Sequence, residues 1–228
     1  MEFGKMLGDS YEYTRNGLFG QWGKWLLLFI SMIIFPLWGG FQWKIYKGES
    51  TLPPLENWVE MFVNGIKLFI VGIIYFLIPM IIFMFLGGAG ALIDAGSGAG
   101  SAAMDLGMII GFILFFLFSL VAMMALIRFA RTDSFGEAFN ISAIMAHIGR
   151  IGWVNYILAL IIMWIVLFVA IMLFLIVVTI ISVALALIPV VGWILSMLLI
   201  LIVAVLIGPF LGVFEARYFT LIYDSAEA

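Results

Sequence analysis

One histidine, His147, and no cysteine leave this chain little with which to build a metal centre or a nucleophilic site. Transition-metal sites draw several ligands from His and Cys, so His147 reads as an interfacial polar residue of a surface helix. No HExxH, GxSxG or phosphate-loop pattern occurs. Glycines 96, 98 and 100 follow no strand and read as linker. The cores of the hydrophobic segments hold no ionisable side chain, whereas coupled transporters bury such groups in the membrane. The polar residues at depth, Tyr75, Ser119, Asn155, Thr179, Ser182 and Ser196, suit helix packing. The expectation is a chain that is not an enzyme and carries no cofactor or metal.

What remains is the chemistry of cations at a membrane surface. Lys44, Lys67, Arg128, Arg131, Arg150 and Arg217 flank the apolar segments and are candidate contacts for anionic lipid headgroups or for a partner. Glu60, Asp133, Glu137 and Glu215 lie among them. Glu215 closes the last apolar segment together with Arg217 and is a candidate member of a buried ion pair. A net charge of −3 gives no reason to expect nucleic acid. The expected partners are membrane lipids, and other membrane proteins or further copies of this chain.

The elements that carry these cations are set by composition. The chain is 66% hydrophobic and 10% charged, against about 45–50% and about 25% in soluble domains, so lipid is its natural solvent. Crossing the hydrocarbon takes about 20 apolar residues. Segments 22–43, 67–86 and 106–129 meet that length, and 151–187 with 190–214 form a longer stretch broken at Pro189-Val190-Val191-Gly192. The first of that last pair is longer than a span requires and must tilt, kink or begin in the interface. Residues 53–66 show amphipathic spacing, with Leu55, Trp58, Val59, Phe62, Val63 and Ile66 on one face, and predict a helix lying in the membrane surface. Residues 134–150 repeat this more weakly, with Ser134 and Glu137 at capping-box spacing. An N-terminal segment, 1–21, is a third interfacial candidate. The Gly/Ala/Ser-rich stretch 87–105 predicts an external loop, and 215–228 a tail. The fold class is therefore all-α: a single-domain polytopic bundle of four to five hydrophobic helices plus amphipathic in-plane helices.

Basic residues accumulate on the cytoplasmic side. None falls in 87–105 or near 182–192, so those loops are expected outside, with 44–67, 128–150 and the C-terminus inside a cell membrane. Segment 22–43 is open. Spanning is favoured by aromatic residues at both ends, Trp22 and Trp25 against Trp43 and Tyr46. Re-entry at residues 36–40 is favoured by charge, because it puts all ten basic residues inside. A short echo links two segments: Pro36, Gly39, Phe41 and Lys44 share their spacing with Pro209, Gly212, Phe214 and Arg217, as if both segments end alike at one interface.

The run Gly40-Phe41-Gln42-Trp43-Lys44-Ile45-Tyr46-Lys47 is followed by Leu52-Pro53-Pro54-Leu55-Glu56-Asn57-Trp58 and by Met61-Phe62-Val63-Asn64-Gly65-Ile66-Lys67. Ile74-Tyr75, Pro79, Arg128-Phe129-Ala130-Arg131 and Ser134-Phe135-Gly136-Glu137-Ala138-Phe139 come later. Together they resemble the DUF4013 family of membrane proteins, with Phe41 standing where that family usually has Tyr. The resemblance implies an archaeal membrane protein and no particular reaction. Two readings of function stay open: a non-catalytic membrane scaffold or accessory subunit, and a lipid-handling or small-solute transport protein with a basic cytoplasmic rim.

Overall fold

The computed structural model describes residues 2–97, 100–188 and 191–227, and their side chains outside 86–107. The elements are α1 (Phe3–Leu18), α2 (Trp22–Ile33), α3 (Phe35–Tyr46), α4 (Trp58–Ser97), α5 (Gly100–Thr132), α6 (Phe135–Ala138), α7 (Ile141–Ile151), α8 (Trp153–Ala186) and α9 (Val191–Asp224). Among the described residues, Trp58–Phe85, Met108–Thr132, Trp153–Ala186 and Val191–Asp224 are long and apolar enough to cross a bilayer. The protein is an all-α membrane protein. Its chain divides into two compact units, residues 1–65 with 148–228, and residues 66–147.

In the first unit α1, α2, α3 and α8 all pack on α9. The buried residues of α8 cluster at its start, Tyr156, Ala159, Leu160 and Met163. Those of α9 lie mainly toward its end, from Pro209 to Tyr223. Tyr218 Oη donates to Ala159 O at 3.2 Å and ties the two ends together. The result is a packed base at one end of the α8–α9 pair. Beyond it, 164–186 and 191–208 are apolar and largely bare. These lengths are about 35 and 27 Å, against roughly 30 Å of hydrocarbon. The excess length of α8 is thereby explained: its first turns belong to the base. The expected tail at 215–228 is corrected, because α9 continues to Asp224 and buries Tyr218, Phe219, Ile222 and Tyr223 at helical spacing. Of the expected break, Pro189 and Val190 lie outside the described residues. At its end, a Cβ on Gly192 would stand 1.9 Å from Leu185 O, so only glycine fits there.

Segment 22–43 is not a straight rod. α2 and α3 meet at a bend of 120°, at Ile34, whose backbone is non-helical. Pro36 enforces the break, since its ring displaces the preceding turn and it offers no N–H. Trp25 Nε1 donates to Leu206 O at 3.0 Å, while Met32 lies over Gly208 and Gly212. Trp25 and Met32 are about 10 Å apart along α2, yet they meet α9 at nearly one level, so α2 lies across α9. α3 instead runs beside α9 in the same direction, with Trp38 against Gly212 and Thr220 Oγ1 3.5 Å from Ile45 O. The Pro-Gly-Phe-cation echo thus marks two neighbouring stretches that end at the same level.

The amphipathic helix expected at 53–66 does not exist as a separate element. Residues 52–57 are non-helical and α4 starts at Trp58. Pro53 and Pro54 disfavour helix for the residues before them, and Asn57 takes φ +58. The face expected to meet the membrane surface, with Val59, Phe62 and Val63, is exposed, and the buried face carries Met61 and Gly65. That face crosses α3 backbone to backbone. A Cβ on Gly40 would stand 1.8 Å from Met61 O, and one on Gly65 would stand 1.6 Å from Pro36 O.

In the second unit α4 and α5 meet through Phe76 and Phe115, with ring centroids 5.4 Å apart, and through Phe83 over Gly111. Of the loop expected at 87–105, residues 98 and 99 lie outside the described residues; the rest is corrected, since the backbone is helical to Ser97 and again from Gly100. A helix satisfies its backbone groups internally, which an irregular Gly-rich segment beside apolar helices does not. The single helix expected at 134–150 is two, α6 and α7, broken at Phe139-Asn140. Ser134 makes no side-chain cap. Asn140 Oδ1 accepts from Ala143 N at 3.2 Å instead and starts α7.

Gly40→Ala and Gly65→Ala should each destabilise the protein by about 1–3 kcal/mol or more through overpacking against backbone. Gly72→Ala, with nothing within 4 Å of its added Cβ, should be neutral or stabilising by up to about 1 kcal/mol. Thermal unfolding in detergent checks both.

Candidate functional site

Between α3 and α4 the chain runs as a non-helical strap, residues 48–57. A segment without ladder partners must find donors for its carbonyls elsewhere. Arg217 Nη1 donates to Glu49 O at 2.9 Å, Tyr13 Oη to Thr51 O at 3.2 Å, and Lys24 Nζ to Leu52 O at 3.4 Å. Lys44 Nζ donates to Pro54 O at 3.1 Å and Glu56 O at 2.9 Å. Four helices of the first unit therefore reach one strap. The guanidinium of Arg217 also sits 4.6 Å from the Tyr13 ring centroid, a cation–π contact. Burial pushes the Tyr13 phenol above its ordinary value, and the Arg217 charge opposes this only in part. The phenol stays protonated near neutral pH and keeps its donor role.

The second unit uses its cations differently. Lys67 Nζ pairs with Asp133 Oδ1 at 3.2 Å. Arg128 holds Glu137 through two nitrogens, Nε at 2.7 Å and Nη2. Asn140 Nδ2 adds a bond to Glu137 Oε1 at 3.3 Å. The hydrogen bond from Arg128, then that from Asn140, holds the Glu137 carboxyl below the usual carboxylate range. Tyr75 Oη donates to Ala138 O at 2.7 Å and its ring stacks on Phe139 at 5.7 Å, so α6 is clamped from both sides. Arg131 and Arg150 are exposed.

Of the six cations singled out in the sequence, Lys44 and Arg217 thus converge on the strap, and Lys67 and Arg128 each hold a carboxylate. Glu215 is half-buried and forms no ion pair with a described residue. His147 is buried, with 2% exposure, where an interfacial position was expected. Its helical period puts it on the inner face of α7 beside Ile144 and Ile148. Among the described residues no group of three or more His, Asp or Glu is placed to hold a metal. The polar residues of the spans are satisfied locally where bonds occur, as in Ser119 to Phe116 O and Ser196 to Gly192 O.

Two adjoining apolar grooves of about 330 and 170 Å³ run between α4 and α5, sharing Phe76, Pro79 and Phe115. No charged side chain lines either. Sequence reasoning passed over Tyr13 and Lys24 as strap ligands. The available signal was a Pro-Pro segment joining two apolar helices, whose carbonyls need donors from nearby cations and phenols.

Replacing both Lys44 and Arg217 by Ala should free the strap and speed its cleavage by a limiting protease about five- to tenfold, as loss of about 1 kcal/mol of net bonding implies. Glu137 titrates lower folded than unfolded, so its contribution to stability is complete above the unfolded carboxylate pKa and is lost as pH falls through the folded one. Arg128→Met should raise the titration of Glu137 toward the ordinary carboxylate range, with the Asn140 bond retained, read by NMR of labelled glutamate, and make the unit's unfolding less sensitive to acid.

No curated protein and no solved structure matches this chain. A family model described as a protein of unknown function matches residues 25–179, from α2 into α8 and across the strap, Gly40, Gly65 and the Arg128–Glu137 pair. The chain belongs to the DUF4013 family.

Proposed function

We propose that this membrane protein is a non-catalytic scaffold or accessory subunit, with its packed base and basic residues on the cytoplasmic side. The observation that carries this reading is the engagement of the basic rim: Lys44, Lys67, Arg128 and Arg217 are committed to backbone carbonyls and carboxylates of the chain itself. Cations used as staples are poorly placed to hand a charged lipid or solute along. The grooves beside α4 and α5 are lined by apolar residues, with no charged side chain among them. The topology in this proposal draws on the first unit. α1 packs against the C-terminal part of α9, as Tyr11 and Phe210 show with centroids 5.9 Å apart, and α2 and α3 meet α9 between Leu206 and Thr220. On this reading residues 22–43 stay at the base end, with both termini on one side of the membrane and the far end of α8 on the other. The lipid-handling reading draws on the grooves alone, whose apolar lining suits an acyl chain.

Native mass spectrometry of the protein, gently extracted from its own membrane, decides between them. A reproducible added protein mass supports the scaffold reading. Retained anionic lipid that is lost on Arg128→Ala with Arg131→Ala replaces it with lipid handling. For topology, single cysteines can be placed in this cysteine-free chain at Glu12, Lys47 and Leu187, all exposed; Ser10 is unsuitable because it is buried. In intact cells an impermeant thiol reagent should modify Leu187→Cys and spare the other two. Modification of Glu12→Cys from outside would overturn the shared-side arrangement.

A further inference from the structure

The exposed face of α2 is apolar. Trp22, Leu26, Leu27, Ile30 and Ile33 fall within an arc of roughly 140° at 100° per residue, and all are exposed, Trp22 by 67% and Ile33 by 69%. The opposite arc holds Trp25, Leu28 and Ser31, which are buried. Lys24 falls on the buried side, between Ser31 and Leu28, and reaches the strap at Leu52 O. This is the reverse of a helix that faces water, whose outer side would be polar. What covers the face is decided by its level. α2 lies across α9 between Leu206 and Gly212, where the bare apolar band of α9 meets the base. Its outer face continues that band sideways at the base end. Phe19 at one end and Ile34 with Phe35 at the other extend the exposed apolar strip. At the other end of the α8–α9 pair the described residues of both helices are largely exposed.

We propose that α2 lies in the plane of the leaflet at the base end and packs its outer face on the acyl chains of that leaflet. It acts as a one-sided wedge, about 18 Å long and 10 Å wide. A body inserted into one leaflet senses how tightly that leaflet is packed, as in-plane amphipathic helices do. The protein therefore favours membrane in which the base-side leaflet is the stretched, outwardly curved one. This rests on the shared-side topology proposed above and is independent of whether the protein is a scaffold.

The test uses the full chain in phosphatidylcholine–phosphatidylglycerol vesicles, with a fluorescent label on Ile30→Cys, on Leu198→Cys in the bare part of α9, or on Lys47→Cys. Quenching is compared for aqueous iodide and for lipids carrying a nitroxide high or low on the acyl chain. The Ile30 label should be shielded from iodide and quenched at least twice as strongly by the shallow nitroxide as by the deep one, with the opposite order at Leu198. Strongest quenching of Ile30 by the deep nitroxide would mean a spanning helix, and access to iodide would mean a water-facing one. Protection from iodide and from both nitroxides would mean a protein partner or second copy on this face. Each of these three results overturns the proposal. Sorting is read separately. Protein oriented with its base outward should be at least doubled in small over large vesicles, and Leu26→Ser with Ile30→Ser should abolish that preference while leaving thermal stability unchanged. Equal sorting of the unmodified chain would also overturn it. The labelling of Glu12→Cys in cells reports on the topology alone, so the two failures can be told apart.

Discussion

Backbone carbonyls beside an apolar medium must be given donors, because neither lipid nor a dry interior supplies water in their place. Most of this structure follows from how the chain meets that demand. Where it can, it extends helices: α4 and α5 run through a glycine-rich stretch that composition alone assigns to a loop. Where two prolines and a left-handed Asn57 forbid helix, side chains from α1, α2, α3 and α9 are recruited to the carbonyls of the strap. Beside Pro209 in α9, the indole of Trp25 adds a donor to the Leu206 carbonyl.

The same demand explains the use of charge. A Lys or Arg at the edge of the hydrocarbon keeps its head in a polar environment while its stem lies along apolar surface. Here the polar environment is largely the chain's own. Lys44 and Arg217, which occupy matching places in the Pro-Gly-Phe-cation echo, both end on the same strap. α3 and the end of α9 run side by side, so equivalent residues arrive at equivalent heights. In the second unit the carboxylates Asp133 and Glu137 take the place of carbonyls, and the elbow around α6 is the segment held.

Close backbone packing is the second constraint. At the crossing of α3 with the start of α4, Gly40 and Gly65 leave no room for a Cβ. That crossing, together with the strap, fixes where α4 begins. It turns a segment with surface-helix periodicity into the first turns of a long helix. These glycines, Lys44 and the Leu52-Pro53-Pro54 run all fall inside the stretch that the family model matches.

The sequence by itself determined the medium, the helical class and the position of the apolar spans, because these depend on summed composition and on length against bilayer thickness. It also showed which residues carry the positive charge. Only the tertiary structure decided what those charges hold, since the partners are backbone carbonyls and carry no signal in residue identity. It decided that 22–43 bends across α9 instead of running straight. Hydropathy registers only that a segment is apolar and says nothing of its direction. It left Glu215 half-buried with no ion pair to a described residue, and placed His147 in the interior, because burial depends on which face of a helix meets a neighbour. The amphipathic pattern at 53–66 was real, but the crossing at Gly65 chose the other face for burial. Local periodicity cannot see a contact made by a helix that lies earlier in the chain.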